Sequence, residues 1–254
     1  MSFSARAAGL AGAAACAIVL AGCTGAPAAP PPTPTHLLAP PDGERIAGNG
    51  LWLLAGPDAT HEIAEAISGA GAVQYHGSYT ELTSPSDGSE PRAGRGLAVD
   101  YRGRAGEYAA KITAGDERVE VVAVDGRTYV RGNEAYASAH GIPDAADGFV
   151  CATGDDSLVA EWAPLLEPGD LVESLLASSE SVSVEPPLGD ADLIDVIVGQ
   201  TGAPVGVLTV ARSGAPLPRE FRAADGTGDG TFAFEGWGEP IEIEPPAELS
   251  VACG

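Results

Sequence analysis

The stretch "RVEVVAVDGRTYVRG" (118–132) carries the clearest indication of the fold. Its centre, Asp125-Gly126, joins two runs rich in β-formers, and this dipeptide favours a type I′ hairpin turn, in which both central residues need positive φ. Side chains of the first run alternate between two faces. These faces are Val119, Val121 and Ala123 on one side, and Arg118, Glu120 and Val122 on the other. One apolar and one hydrated face are typical of an antiparallel sheet that is covered on a single side.

The same alternation continues on both sides of this hairpin. Runs of four to eight β-formers, bounded by Gly, Pro and Asp, predict further strands. They lie within residues 72–82, 96–103, 106–113, 181–186, 192–199, 204–212, 218–223 and 230–246. The sheet is therefore expected to form from two groups of strands that are separate in the sequence.

Two segments have a helical period instead. Residues 58–71 are predicted to form a helix with Thr60 as its N-cap. Residues 155–178 are predicted to be helical in two pieces, broken at Pro164 and Pro168. Because no repeat or shift of composition divides the body of the chain, we predict a single domain of the α+β class.

The chain of 254 residues is strongly acidic, with 36 Asp and Glu against 13 Lys and Arg and a formal charge of −23. Such a surface is repelled by phosphate backbones and by anionic lipid headgroups. We therefore exclude nucleic acid as a partner and electrostatic docking as the means of membrane attachment. The low lysine content, with abundant Ala, Gly and Pro, indicates a high-GC source such as an actinobacterium.

The N-terminus has the form of a bacterial secretory leader. Arg6 is the only charge before an apolar run from Ala7 to Leu20, which is shorter than the ~20 residues of a spanning helix. Leu20-Ala21-Gly22-Cys23 resembles a lipoprotein lipobox, so residues 1–22 are predicted to be removed and Cys23 to be the site of lipid attachment. An ordinary cleaved signal peptide with a chance cysteine is the alternative.

The residues after Cys23 have the composition of a tether. Residues 24–41 contain seven prolines and no charge. This composition favours an extended polyproline II chain with a reach of roughly 55 Å. The predicted organisation is a signal peptide at 1–22, the lipidated Cys and Pro-rich tether at 23–41, and a β-sheet domain at 42–254. The protein is expected to be anchored by lipid on the extracytoplasmic face of the cell membrane.

The cysteine count predicts one disulfide. Of the four cysteines, Cys16 leaves with the leader and Cys23 is acylated, so Cys151 and Cys253 remain as a pair in an oxidising compartment. A bond between them would close a loop of about 100 residues. In the chain-entropy model, a loop of this length stabilises the folded state by up to about 4.7 kcal/mol. Their spacing is not that of a zinc or redox motif.

No catalytic or cofactor motif stands out. The sequence has no GxSxG, Walker, HExxH or strand-linked GxGxxG pattern. His61, His76 and His140 are far apart in sequence, and each is expected to be a surface or strand histidine and not a metal ligand. The segment from Asp225 resembles a calcium loop, but Gly236 occupies the twelfth position, where a bidentate Glu is required. We therefore predict no metal, no cofactor and no enzymatic activity.

Three segments carry a resemblance to a known family. The hairpin and polar linker at 121–136, the "EPGDLVESLL" piece at 167–176 and the "FAFEGWGEPIEIEPP" piece at 232–246 resemble segments of the actinobacterial LppX/LprG lipoproteins. The resemblance covers roughly residues 59–246. This chain departs from the pattern in its Cys151/Cys253 pair, its longer segment near 141–157 and its acidic helix between the strands.

The resemblance implies a half-barrel, in which a strongly curved antiparallel sheet has its concave face closed by helices, as in LolA-like lipid carriers. It implies that acyl chains lie in the gap between sheet and helices. Small side chains such as Ala and Val would leave room there, and each buried CH₂ contributes about 0.8 kcal/mol. The residues expected to line the cavity are Leu97, Val99, Tyr101, Tyr108, Ile112, Val121, Ala123, Leu171, Leu175 and Leu176.

Two functional hypotheses remain open. The first is a carrier or chaperone that binds an acylated lipid or glycolipid without covalent chemistry. The second is a surface-exposed sensor or interaction module of the same fold, without lipid cargo, whose acidic surface recognises a basic protein partner. The same Val and Ala alternation is also compatible with a filled core.

Overall fold

The computed structural model describes residues 48–83, 92–152, 158–177, 180–200, 203–223 and 230–253. The predictions made for the leader, for Cys23 and for the tether lie outside the described residues, as do residues 225–229 of the segment that resembles a calcium loop. Within the described ranges, no helix has both the length and the apolar character needed to cross a membrane.

The described part of the chain builds one open sheet of twelve strands. The strands are β1 (Val73–Thr83), β2 (Arg92–Arg104), β3 (Glu107–Ala114), β4 (Glu117–Val124), β5 (Arg127–Gly132), β6 (Phe149–Ala152), β7 (Ser181–Val184), β8 (Leu193–Gln200), β9 (Ala203–Ala211), β10 (Pro218–Ala223), β11 (Thr231–Glu235) and β12 (Leu249–Val251). Their order across the sheet is β12-β6-β5-β4-β3-β2-β1-β11-β10-β9-β8-β7.

The sheet consists of two meanders that meet where β1 pairs with β11. Every described pair is antiparallel except β12 with β6. Irregular registers interrupt β1 between Thr80 and Leu82, and they also occur in β8 and β10. Such bulges bend a strand and increase its twist. The predicted class, a single antiparallel sheet with helices in an α+β fold, is confirmed.

Helices cover one face of this sheet. They are α1 (Gly56–Ala70), α2 (Glu134–His140), α3 (Asp144–Asp147), α4 (Ala163–Leu166) and α5 (Pro168–Ala177), with 3₁₀ turns at Leu51–Leu53 and Ala160–Trp162. Ile63 and Ile67 of α1 are buried in the same apolar cluster as the inward side chains of the sheet. This shared cluster defines the inner face, and the opposite face is the outer face.

The predicted helices form, but their first boundaries differ from the prediction. Helix α1 begins at Gly56, its N-cap is Ala55, and Pro57 stands in the first turn. Thr60 is therefore not the N-cap; its hydroxyl donates to the carbonyl of Gly56 at 3.0 Å. Proline at the start of a helix needs no hydrogen bond from its nitrogen, so Pro57 extends the helix by two residues beyond the predicted start.

The predicted break in the second helical segment occurs at only one of its two prolines. Pro164 lies in the first turn of α4 and does not interrupt the helix. The break falls at Glu167, which is extended at φ −123° and ψ 111°. Because a residue before proline is forced out of the helical region, Pro168 ends α4 and then begins α5.

The hairpin predicted within residues 118–132 is confirmed. Asp125 and Gly126 have φ of 54° and 68°, as a type I′ turn requires. Val119, Val121 and Ala123 lie on the inner face and are buried. On the outer face, Val122 packs against a small second cluster that includes Ile243.

The C-terminal part of the chain corrects one prediction. Only Thr231–Glu235 of the predicted strand at 230–246 is a strand. The rest has no regular structure, because Pro240, Pro245 and Pro246 lack the N–H that a sheet ladder needs. The segment instead buries Ile243 against Val124 and Tyr129 on the outer face.

The predicted disulfide is confirmed. Cys151 of β6 is bonded to Cys253, with 5.0 Å between their Cα atoms. This bond holds the chain end next to β12, whose parallel pairing with β6 was not predicted. Helices α2 and α3 and strand β6 also form in a part of the chain for which no helix or strand was predicted.

Candidate functional site

A continuous row of inward side chains crosses half of the sheet. Each member is the direct cross-strand partner of the next. From β11 to β5, the row consists of Phe234, Tyr75, Tyr101, Ala110, Val121 and Val130. All six are buried, so the row forms one side of the layer between sheet and helices.

The structure brings the ten predicted lining residues into this layer. All belong to or pack against one apolar cluster, and all except the partly buried Leu175 are buried. The most exposed of the buried residues, Tyr108, is only 7% exposed. These side chains therefore pack against their neighbours and are shielded from solvent. That they line a lipid cavity stays a prediction.

A cleft of about 440 Å³ opens on the outer face. Its polar lining includes Asp100, Lys111 and Glu120, which alternate with the inward residues of the same strands. This cleft is mixed in charge and exposed to water. It therefore does not have the character of a site for an acyl chain.

Three tyrosines form a stack in the middle of the inner face. The ring centroids of Tyr75 and Tyr101 are 4.4 Å apart, and those of Tyr101 and Tyr108 are 5.4 Å apart. The hydroxyl of Tyr75 donates to the carbonyl of Leu165, so α4 is tied to the sheet at this point. The rings contribute a large apolar surface that carries a few polar atoms.

The hydroxyl of Tyr101 differs from that of its neighbour. It is buried and has no hydrogen-bond partner among the described residues, and the whole residue is only 3% exposed. Buried polar groups in native proteins are nearly always paired. An unpaired hydroxyl in an otherwise apolar layer is therefore a candidate contact for a ligand.

The electrostatics keep these hydroxyls neutral. Burial raises the pKa of Tyr75 and of Tyr101, and the nearby carboxylate of Glu167 raises both further. Burial and Asp170 in turn raise the pKa of Glu167, while the Gly106 N–H that donates to it acts in the opposite direction. The phenol of Tyr101 can therefore donate a hydrogen bond. Near neutral pH it acts neither as a general acid nor as a general base.

Tyr75 and Leu165 are not among the predicted lining residues. Tyr75 lies in phase with the other inward residues of β1, so its position in the row could have been found from the alternation. The acceptor carbonyl of Leu165 lies in the short helix α4, and no residue pattern marks its direction.

Comparisons with known proteins give structural matches only. No family model matches this chain, and no curated protein matches its sequence. The solved structures that match include LprF from Mycobacterium bovis, at 14% identity and TM-score 0.41, covering 76% of this chain and 99% of LprF. They also include the lipoprotein LppX from Mycobacterium tuberculosis, at 15% identity and TM-score 0.41, covering 72% of this chain and 95% of LppX. The predicted resemblance to LppX is thus found again in the structure, and at this TM-score it carries no conclusion about function.

Proposed function

We propose that this chain is a membrane-anchored, extracytoplasmic lipoprotein that binds the acyl chains of a lipid or glycolipid between its sheet and its helices. It acts as a carrier or chaperone without covalent catalysis. The observation that carries this proposal is the unpaired hydroxyl of Tyr101, buried among mainly apolar side chains between sheet and helices.

The composition of the inner face supports an acyl ligand. Alanines at positions 110, 114 and 123 are buried between larger side chains on β3 and β4. An acyl chain that replaces the helix side chains in contact with these alanines would still cover them with apolar groups. Each CH₂ that it buries contributes about 0.8 kcal/mol. The ligand therefore replaces one set of apolar contacts with another.

Tyr101 supplies the polar contact that such a ligand needs near its head. An ester or hydroxyl oxygen of a lipid is a hydrogen-bond acceptor, and the neutral phenol of Tyr101 is a donor. Leaving this hydroxyl unpaired in the free protein costs about 1–3 kcal/mol. A bound lipid would recover that free energy, which gives the pocket a preference for a lipid over a plain hydrocarbon.

Ligand entry requires the helical layer to move, because the inner side chains are closed against one another. The segment around α4 is suited to this movement. It consists of a 3₁₀ turn and a four-residue helix, and the extended Glu167 separates it from α5. The hydrogen bond from Tyr75 to Leu165 is a tie that must break when α4 leaves the sheet.

The anchor completes the proposed function. Two or three acyl chains on Cys23 hold a protein stably on a bilayer, whereas a single chain does not. The tether at 24–41 would let the domain reach a lipid in the same membrane or in a neighbouring layer. A strongly acidic domain needs such a covalent anchor, because its charge opposes adsorption.

The test is lipid mass spectrometry of the full acylated chain, extracted in a mild detergent from a host that acylates lipoproteins. Wild type, Tyr101→Phe and Tyr129→Phe are prepared in the same way, since Tyr129 is a buried tyrosine on the outer face of the same sheet. We expect a near-stoichiometric acyl species on wild type and on Tyr129→Phe, and several-fold less on Tyr101→Phe.

Equal lipid on all three proteins would remove Tyr101 from the site, and no bound lipid on any of them would remove the proposal. In the second case the alternative gains support, namely an interaction module for a basic protein partner. Its association would weaken steeply with added salt, which a lipid in an apolar layer would not do.

A further inference from the structure

Two carboxylates and an imidazole form a polar cluster at the edge of the helical layer, away from the tyrosine stack. It consists of Glu117 at the start of β4, His140 at the end of α2, and Glu161 in the 3₁₀ turn before α4. One nitrogen and two carboxylate oxygens, one from each residue, all lie within 4.8 Å of one another.

The distances in this cluster fit ligands around a metal better than hydrogen bonds. His140 Nε2 is 3.4 Å from Glu161 Oε1 and 3.8 Å from Glu117 Oε2. Hydrogen bonds to a carboxylate are normally shorter, at about 2.7–2.9 Å. Ligands about 2.0–2.1 Å from a tetrahedral Zn²⁺ are separated from one another by roughly 3.3 Å. The Oε2 atom of Glu117 is moreover buried and accepts no hydrogen bond from any described residue.

The imidazole is held in place by its neighbours. The ring of Tyr136 packs against that of His140 at 4.3 Å between centroids, and the Tyr136 hydroxyl donates to the carbonyl of Leu158 at 2.9 Å. The ring of Trp162 lies 6.0 Å from His140 on another side. A histidine fixed by packing requires little reorganisation when it binds a metal.

Arg95 fits this arrangement as an outer partner of the ligands. Its Nη2 donates to Glu161 Oε2 at 3.2 Å, which leaves the Oε1 atom of Glu161 facing His140. Its Nε donates to Glu81 at 2.8 Å, and its Nη1 is 3.9 Å from Glu117. Hydrogen bonds to the second oxygen of a ligating carboxylate are typical of metal sites and orient the ligand.

The charges favour a divalent cation. The groups that face one another here are the carboxylates of Glu81, Glu117 and Glu161, the guanidinium of Arg95 and the imidazole of His140. With a neutral imidazole, three negative charges face one positive charge, so the cluster carries a formal charge of about −2. A doubly charged ion would neutralise this cluster.

We propose that Glu117, His140 and Glu161 bind one divalent transition-metal ion, with Zn²⁺ as the best match. The imidazole nitrogen favours Zn²⁺ over Mg²⁺ and Ca²⁺, which prefer all-oxygen ligand sets. The ion would join β4, α2 and the turn before α4, and so hold three separate elements together. Metal binding here does not require lipid binding, although Glu161 lies in the 3₁₀ turn of the segment proposed to move when a lipid enters.

The experiment measures Zn²⁺ binding to the full chain by calorimetry, after chelator treatment and dialysis, in excess Mg²⁺ and Ca²⁺. We expect one saturable Zn²⁺ per chain and at least tenfold weaker binding in His140→Gln and in Glu161→Gln. The matched control is His61→Gln. His61 and Glu65 are also 3.7 Å apart, but they lie exposed on α1, and His61 should not affect binding.

Three results would overturn the proposal and leave an ion-pair network only. They are the absence of saturable binding, unchanged affinity in both His140→Gln and Glu161→Gln, and an equal loss of affinity in His61→Gln. Glu161 is 38% exposed, so its Gln variant keeps the test valid if His140→Gln fails to fold. Circular dichroism of each metal-free variant reports on folding.

Discussion

Tyr75 and Tyr101 stack at 4.4 Å between ring centroids on neighbouring strands, yet only Tyr75 has a hydrogen-bond partner for its hydroxyl among the described residues. The two hydroxyl groups are chemically identical, but they contribute differently to the stability of the fold. One ties a helix to the sheet, and the other adds no stabilising contact of its own. This difference predicts opposite effects for the same substitution.

Tyr101→Phe is expected to stabilise the ligand-free protein. Removing a buried hydroxyl that lacks a partner removes its desolvation penalty, so the free energy of unfolding should rise by about 1 kcal/mol. Urea unfolding followed by circular dichroism measures this change. If the free energy of unfolding instead fell by about 1 kcal/mol or more, the hydroxyl would be hydrogen-bonded in solution. It would then not be available as a contact for a ligand.

Tyr75→Phe is expected to act in the other direction. It leaves the carbonyl of Leu165 without its donor, and a lost hydrogen bond of this kind lowers the free energy of unfolding by about 0.5–1.5 kcal/mol. It should also accelerate exchange of a fluorescent fatty acid, because the tie between α4 and the sheet is gone. Tyr129→Phe on the outer face serves as the control, and exchange as slow as in this control would exclude α4 as the moving element.

The features that were predictable from the sequence are local ones. Asp125-Gly126 determines its own turn, and the alternation of Leu97, Val99 and Tyr101 determines which side chains face inward. Helix α2 was missed although it carries a usable signal, since Asn133 caps it by accepting from the N–H of Tyr136. Asn at this position is a favoured N-cap.

The features that were not predictable depend on contacts between distant segments. Glu117, His140 and Glu161 have no common spacing, because a sheet strand, a helix end and a 3₁₀ turn bring them together only in the fold. The alternation around Ile243 predicted a strand, but burial on the outer face and the neighbouring prolines decided against one. Local patterns do not contain either kind of information.

Gly77→Ala is expected to destabilise the sheet next to the tyrosine stack. A Cβ at Gly77 would overlap the ring of Phe232 and the backbone of Thr231. Such overpacking lowers the free energy of unfolding by about 1–3 kcal/mol. Gly69→Ala is the matched control, because a Cβ there meets no atom within 4 Å and Ala favours a helix interior by about 0.5–1 kcal/mol. Thermal unfolding should shift in opposite directions for the two variants, and a Gly77→Ala protein as stable as wild type would contradict the close packing of β1 on β11.

Removing the disulfide is expected to lower the free energy of unfolding by about 2–4 kcal/mol. The Cys151→Ser/Cys253→Ser double variant tests this in denaturant. Hydrogen exchange should increase over the whole sheet and most in β12 and the segment that buries Ile243, because the bond also holds Cys253 against β6. An increase no larger in these two segments than elsewhere would show that the bond acts only through the unfolded chain.

Glu167→Gln is expected to change how stability depends on pH. The pKa of Glu167 is raised from its ordinary 4.5, chiefly by burial, so the folded state holds this proton more tightly than the unfolded chain does. Its contribution is therefore fully present below about pH 4 and is lost as the pH rises through the raised folded pKa. The Gln variant cannot ionise, so its stability relative to wild type should increase between pH 4 and pH 7 in urea titrations at both values. Glu173→Gln, on an exposed position of the adjoining helix α5, is the control, and equal pH profiles for wild type and Glu167→Gln would show that the Glu167 carboxylate is hydrated in the folded protein.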